Sequence, residues 1–200
     1  MTEANLAGHV DYQTYYNLES YLFGTVHTAF RKDGCLSAFD FFCIIVWKAN
    51  RAKSKIATKL LSRRHSDLDS AVFELTNGIT QQSRPREKLR YLLEDWGFRL
   101  PMGSAILTVL YPEDFTVYDT RVCAELGEFA NLTSVRPFDR LWLGYERFVE
   151  RVREQVPDRP KLRDKDRYLW GKSFYTQLTQ DIEVNFGHSK DGVQVYDPAI

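Results

Sequence analysis

The sequence predicts an all-α protein, and three observations carry that prediction. Apolar residues recur at spacings of three and four along most of the chain, the pattern of helices with one buried face. Alternation of β-branched residues is nearly absent; only Phe115-Thr116-Val117-Tyr118 reads as extended, and it is too short to make a sheet. Two hundred residues with 44 % apolar and 14 % aromatic content suffice for one domain with a sizeable core. That domain is expected over residues 1–186, as about eight to ten helices. The tail, 187–200, lacks periodicity.

Each element has its own signal. Tyr15, Leu18, Leu22, Val26 and Phe30 form one amphipathic stripe, closed by Arg31-Lys32-Asp33-Gly34, basic last-turn residues before a glycine stop. Ser37 suits the cap of a helix through Phe41, Ile44, Ile45 and Lys48. Ser54 starts a helix over 55–62. Ser66 or Asp67 starts the next, with Leu68, Val72, Leu75 and Ile79 inward and Asn77-Gly78 weakening its end. Ser83 precedes a helix from Pro85 to Asp95, with Leu89, Leu92 and Leu93 inward. After Asp119 a short helix runs to Glu125, with Gly127 behind it. Pro137 opens a long helix with Leu141, Tyr145, Phe148 and Val152 inside, and Pro157 and Pro160 mark a loop. The last helix covers 163–182, with Tyr168, Leu169, Phe174, Leu178 and Ile182 as its apolar positions.

Composition excludes several function classes. The formal net charge is zero, yet no acidic residue stands between Asp40 and Asp67, an interval holding Lys48, Arg51, Lys53, Lys55, Lys59, Arg63 and Arg64. Glu146, Glu150, Glu154 and Asp158 collect elsewhere. Such segregation is either a solvated helix face or a phosphate-contacting surface. Cys35, Cys43 and Cys123 have no CxxC spacing and read as reduced thiols. The apolar run Phe39 to Trp47 is too short to span a bilayer, and the polar N-terminus is unlike a secretory signal, so a cytoplasmic protein is expected. The four histidines make no ligand pair, and no metal site, cofactor site, P-loop, dinucleotide fingerprint or zinc-deaminase motif is present.

The most informative stretch is Trp96 to Val122. Gly97-Phe98-Arg99-Leu100-Pro101 reads as a tight turn, with Pro101 suited to a first helical position. A short apolar helix follows with Met102, Ala105, Ile106, Val109 and Leu110, then an extended connector, then Asp119 at a helix start. A turn entering a helix presents backbone N–H groups that can hold a phosphate. Asp119 reads as an N-cap on spacing alone.

This segment resembles the helix-hairpin-helix DNA glycosylases, on the Ser104-Ala105 junction, the apolar helix, Pro112 and Val117-Tyr118-Asp119-Thr120-Arg121-Val122. Arg99 and Pro101 stand where the family has two glycines, which suggests a divergent branch. The resemblance implies a hairpin that grips the DNA backbone through Gly97, Arg99, Leu100, Met102, Gly103 and Ser104. Phosphate contacts are expected to come also from Lys48, Arg51, Lys53 and Lys55. It implies Asp119 as the catalytic carboxylate, stabilising positive charge on the sugar and orienting a water. Strand-cutting members carry a hairpin lysine for a Schiff base. The matching place here is near Met102 or Gly103, and no lysine lies between Lys88 and Lys161, so a monofunctional enzyme leaving an abasic site is expected.

Two further clusters are candidates for a base pocket: Trp47-Lys48-Ala49-Asn50-Arg51, and Arg163 to Lys172, where Trp170 and Lys172 are singled out. Trp47 reads more readily as a core residue than as a stacking platform. Arg163, Asp166 and Trp170 can share a helix face, while Asp166 with Arg167 reads as a surface ion pair. Gly171 in mid-helix costs about 1 kcal/mol relative to Ala, which close packing or a ligand would explain. The expected partner is duplex DNA with a damaged or modified base, bound by a monomer near the nucleoid, in repair or in attack on modified phage DNA. The rival readings are an inactive DNA-binding relative and an all-α protein-interaction module.

Overall fold

The computed structural model describes residues 11–62 and 67–186; their regular structure is all helical, with no strand among the described residues. Arg63, Arg64, Ser66 and the tail 187–200, all part of the expectations above, lie outside the described residues. No helix among the described residues is long and apolar enough to cross a membrane.

The first predicted helix is one rod in three pieces. After a short 3-10 turn, α1 (Leu18–Tyr21) passes through a π stretch (Leu22–Val26) into α2 (His27–Asp33). Leu22, Val26 and Phe30 are its buried stripe. Gly34 ends it in the left-handed conformation, φ 73°. The Ser37 side chain accepts from Asp40 N at 3.1 Å and opens α3 (Ala38–Ala49), whose last turn carries Trp47 and Lys48. A 3-10 turn (Asn50–Ala52) leads into α4 (Lys53–Leu61).

Asp67, rather than Ser66, caps α5 (Leu68–Gln81), accepting from Ser70 N at 2.8 Å. The helix runs through Asn77-Gly78 and ends three residues later, at Gln81. Gly78 is buried in its last turns, because a Cβ there would lie 2.0 Å from the Tyr91 hydroxyl. The buried Lys88 amine closes the helix instead, donating to the carbonyls of Ile79 and Gln82. Lys88 belongs to α6 (Pro85–Arg90), which runs on as a π stretch (Tyr91–Asp95) into the predicted turn.

α7 (Leu100–Leu110) is the buried centre of the molecule: every residue from Met102 to Leu110 is buried. α3 packs on it, and α9 (Phe138–Gln155) covers the connector that follows it. α8 (Thr120–Leu126) lies against α10 (Leu162–Gln180), which ends in a π stretch (Asp181–Phe186). The α9 stripe is as predicted: Leu141, Tyr145, Phe148 and Val152 are all buried.

α10 departs from prediction. Leu169 is buried, but Tyr168, Phe174, Leu178 and Ile182 are exposed. Its inward face is Leu162, Lys165, Asp166, Leu169 and Ser173, a largely polar stripe. The Lys165 amine donates to the carbonyls of Arg153 (2.8 Å) and Val156 (2.5 Å), closing the C-terminal end of α9. Close packing does not explain Gly171, since a Cβ there would meet nothing within 4 Å.

Candidate active site

Asp119 stands at the end of a connector that has no sheet to satisfy its backbone, so side chains do that work. Thr116 N donates to the Tyr145 hydroxyl (3.2 Å), which in turn donates to Thr116 O (2.6 Å). Tyr118 N donates to Ser104 Oγ at 2.9 Å. Phe115, Thr116, Val117 and Tyr118 are all buried. The connector therefore delivers Asp119 to a fixed place at the start of α8. There the carboxyl caps the helix as predicted, Oδ1 accepting from Arg121 N at 3.0 Å.

Its second oxygen faces a cation that the sequence had placed on a phosphate surface. Lys48 Nζ lies 2.5 Å from Asp119 Oδ2, and the two side chains are 15 % and 22 % exposed. Burial alone would raise the Asp119 carboxyl. The Lys48 ammonium, the Arg121 N–H and the Arg121 charge outweigh it and hold the group below its ordinary value.

Asp119 and Lys48 line an open cavity of about 590 Å3, inside the range typical of small-molecule sites. α1 contributes Glu19, α3 contributes Trp47, and α10 contributes Arg163, Asp166, Arg167 and Trp170. Arg163 organises the floor. It donates through Nε (3.1 Å) and Nη2 (2.6 Å) to Glu19 Oε1 and through Nη1 to Asp166 Oδ2. Its guanidinium also covers the rings of Phe23 and Trp47, 5.1 Å from each centroid. Trp47 is thus both half-buried structure and cavity wall.

Asp166 is not a surface partner of Arg167. Its side chain is only 2 % exposed. Burial pushes its carboxyl up to about 6, against the Arg163 guanidinium, and the charge on Asp119 adds to the rise. Arg167 is exposed and pairs with Glu19 and Asp164. At the rim, Trp170 stacks on Phe174 with centroids 5.6 Å apart and planes within 6°. The Arg121 guanidinium lies 5.4 Å from both rings, and its Nη1 donates to Gln177 Oε1 at 2.8 Å. The result is an aromatic ledge with a cation over it, a surface suited to stacking a nucleobase.

Cys123 and Tyr118 are poor candidates for chemistry near neutral pH, because burial pushes the thiol to about 11 and the phenol to about 12. All three cysteines are free. Among the described residues no cluster of three His, Cys, Asp or Glu side chains forms a metal site.

The hairpin differs from expectation. Gly97 takes the left-handed conformation, φ 66°, which the tight turn requires. Phe98 N donates to Leu92 O, and Met102 N and Gly103 N donate to Arg99 O, so three of the turn's N–H groups are already used. Among the described residues, those of Gly97, Arg99 and Leu100 have no such partner. Leu100, Met102, Gly103 and Ser104 are buried: Gly103 packs on Leu93 and Leu89, and the Ser104 hydroxyl serves Tyr118. The accessible hairpin is therefore Gly97 and Arg99, beside a separate cleft that Arg136 also lines.

The basic run divides in the same way. Lys48 turns inward, and Lys59 donates to Gly97 O at 2.5 Å and lies over the Phe98 ring, joining α4 to the hairpin. Arg51, Lys53 and Lys55 are exposed as predicted. Lys172 does not line the cavity; it is half exposed and pairs with Glu125. Sequence reasoning missed Glu19 and Arg121 and undervalued Asp166. The useful signal was the shared face of Arg163, Asp166 and Trp170, which the structure brings together in the cavity wall.

Comparison with protein-family models, with curated proteins and with solved structures finds no match to this chain.

Proposed function

We propose that the protein is a helix-hairpin-helix type DNA glycosylase that takes an everted, damaged or modified nucleotide into the Asp119 cavity and hydrolyses its N-glycosidic bond. One observation carries the reading: an ionised carboxylate, fixed by a helix cap and an ammonium, faces an open cavity rimmed by cations and stacked aromatic rings. Breaking a base–sugar bond builds positive charge on the sugar, and a preorganised carboxylate beside C1′ stabilises it. Trp170 and Phe174 offer the base a stacking surface, and Arg121 and Arg167 suit the flanking phosphates. Arg51, Lys53, Lys55, Arg99 and the free hairpin N–H groups supply backbone contacts to duplex DNA.

Water, rather than an amine, is the nucleophile in this reading. The hairpin has no lysine, and Lys48 is committed as an ammonium to Asp119. The product is an abasic site, released by a monomer acting on nucleoid or invading phage DNA.

The test is a panel of duplexes carrying different lesions and phage-type modified bases, incubated with enzyme and then with alkali. Alkali-dependent breaks with wild type, abolished in Asp119→Asn while DNA binding persists, support the proposal. Binding without base release by wild type on any duplex favours an inactive DNA-binding protein. Absence of salt-sensitive DNA affinity, unaltered by reversing Arg51, Lys53 and Lys55 to Glu, favours a protein-interaction module. Borohydride trapping of Lys48 on DNA would contradict the water mechanism.

A further inference from the structure

We infer that Asp166 is a second catalytic carboxyl of this cavity, the acid that gives a proton to the departing base while Asp119 serves the sugar and the water. The inference rests on the glycosylase reading and deepens it. Its basis is where Asp166 sits. The side chain is almost wholly buried in α10, yet it forms part of the wall of the same open cavity as Asp119. Its ion-pair partner among the described residues, Arg163, is shared with Glu19, which takes two of the guanidinium's N–H groups. The three carboxylates lining the cavity, those of Glu19, Asp119 and Asp166, face the cations of Lys48, Arg121, Arg163 and Arg167. Asp166 is the most deeply buried of the three, 2 % exposed against 22 % for Asp119 and 32 % for Glu19.

The surroundings of Asp166 come from every packed element. α1 presents Glu19, α3 presents Lys48, and the start of α8 presents Asp119 and Arg121. α10 presents Arg163 and Arg167. α9 presents Tyr145, bound to the Thr116 backbone. From the connector comes Thr116 itself, whose buried hydroxyl lies beside the Asp166 carboxyl without a hydrogen bond of normal geometry. Burial and the Asp119 charge lift the Asp166 carboxyl to about 6, whereas Asp119 is held low. Two carboxyls facing one cavity whose surroundings push their proton affinities apart suit a paired acid and base.

The step balances. The C1′–N bond breaks, its electron pair stays with the base, and the Asp166 proton goes to a ring nitrogen or exocyclic oxygen of that base. A water oxygen bonds to C1′ and yields one proton to Asp119. The free base and a C1′ hydroxyl result, and solvent carries the proton from Asp119 back to Asp166.

The experiment compares leaving groups in the panel above. Neutral bases such as hypoxanthine need a proton to depart; 7-methylguanine is already cationic and does not. Asp166→Asn is expected to slow release of neutral bases by about 100-fold or more and to leave 7-methylguanine release nearly unchanged. For neutral bases the wild-type rate falls as pH rises through about 6, a limb absent for 7-methylguanine. Equal losses on both kinds of base mark a structural role and overturn the inference alone. No release of any base by wild type overturns the glycosylase reading and this inference together. An independent readout needs no substrate: the carboxyl signal lost in Asp166→Asn should titrate near pH 6 in 13C NMR of the intact protein. A carboxyl fully ionised at about pH 5, close to the ordinary range, overturns it.

Discussion

Replacing Lys48 with Met removes one charge from the cavity and keeps an unbranched side chain only one heavy atom shorter. The cost follows from the geometry of the pair it breaks. Exposed ion pairs contribute about 0.2–1 kcal/mol, whereas removing one member of a buried pair costs about 3–5 kcal/mol. At 2.5 Å, with 15 % and 22 % exposure, the Lys48–Asp119 pair lies between those limits. A coupling of about 2 kcal/mol is expected at pH 7. The assay is a double-mutant cycle of Lys48→Met and Asp119→Asn by urea denaturation. Asn suits the second arm because it keeps the N-cap of α8. The sign of the pH effect is fixed by Asp119. Its folded carboxyl sits below the ordinary value, so its stabilisation is present above the unfolded value and lost as pH falls through the folded one. The coupling should therefore vanish in acid. A coupling below about 0.5 kcal/mol at pH 7, or one insensitive to acid, would refute the account of how Asp119 is held.

Other consequences are equally direct. Gly171→Ala should stabilise the protein by about 1 kcal/mol, read by thermal denaturation, because its Cβ meets open space. Gly78→Ala should destabilise it by about 2 kcal/mol, because its Cβ meets the Tyr91 hydroxyl at 2.0 Å. Asp166 gives a slope opposite to that of Asp119. Its folded carboxyl titrates at about 6, above the unfolded value, so the folded state keeps a proton the unfolded chain has lost. Stability should fall by about 3 kcal/mol between about pH 4 and pH 6 from this group, and urea titrations of Asp166→Asn should lack that slope.

Local chemistry made most helix ends legible. Ser37, Asp67 and Asp119 are capping residues whose short side chains reach the first free N–H groups, and Gly34 and Gly127 supply left-handed stops. The stripe of α9 was legible because one face is apolar and the other charged. α10 was not. Aromatic residues surround it, and its buried face carries Lys165 and Asp166, one closing a neighbouring helix and the other flooring the cavity. Periodicity reads burial as hydrophobicity, so it fails where a buried face serves a polar task. The same limit hid the inward turn of Lys48. Seven cations in a row suggest a surface, and only tertiary packing shows which of them meets a carboxylate from 71 residues downstream.

The most direct test of the central claim needs no knowledge of the base. A duplex containing a pyrrolidine abasic nucleotide, cationic where the sugar becomes positive in the transition state, is compared with one containing the neutral tetrahydrofuran analogue. Wild type should bind the cationic duplex at least about tenfold more tightly, a difference of about 1.4 kcal/mol, and Asp119→Asn should lose that preference. Equal affinity of wild type for the two duplexes would contradict a carboxylate poised at the sugar.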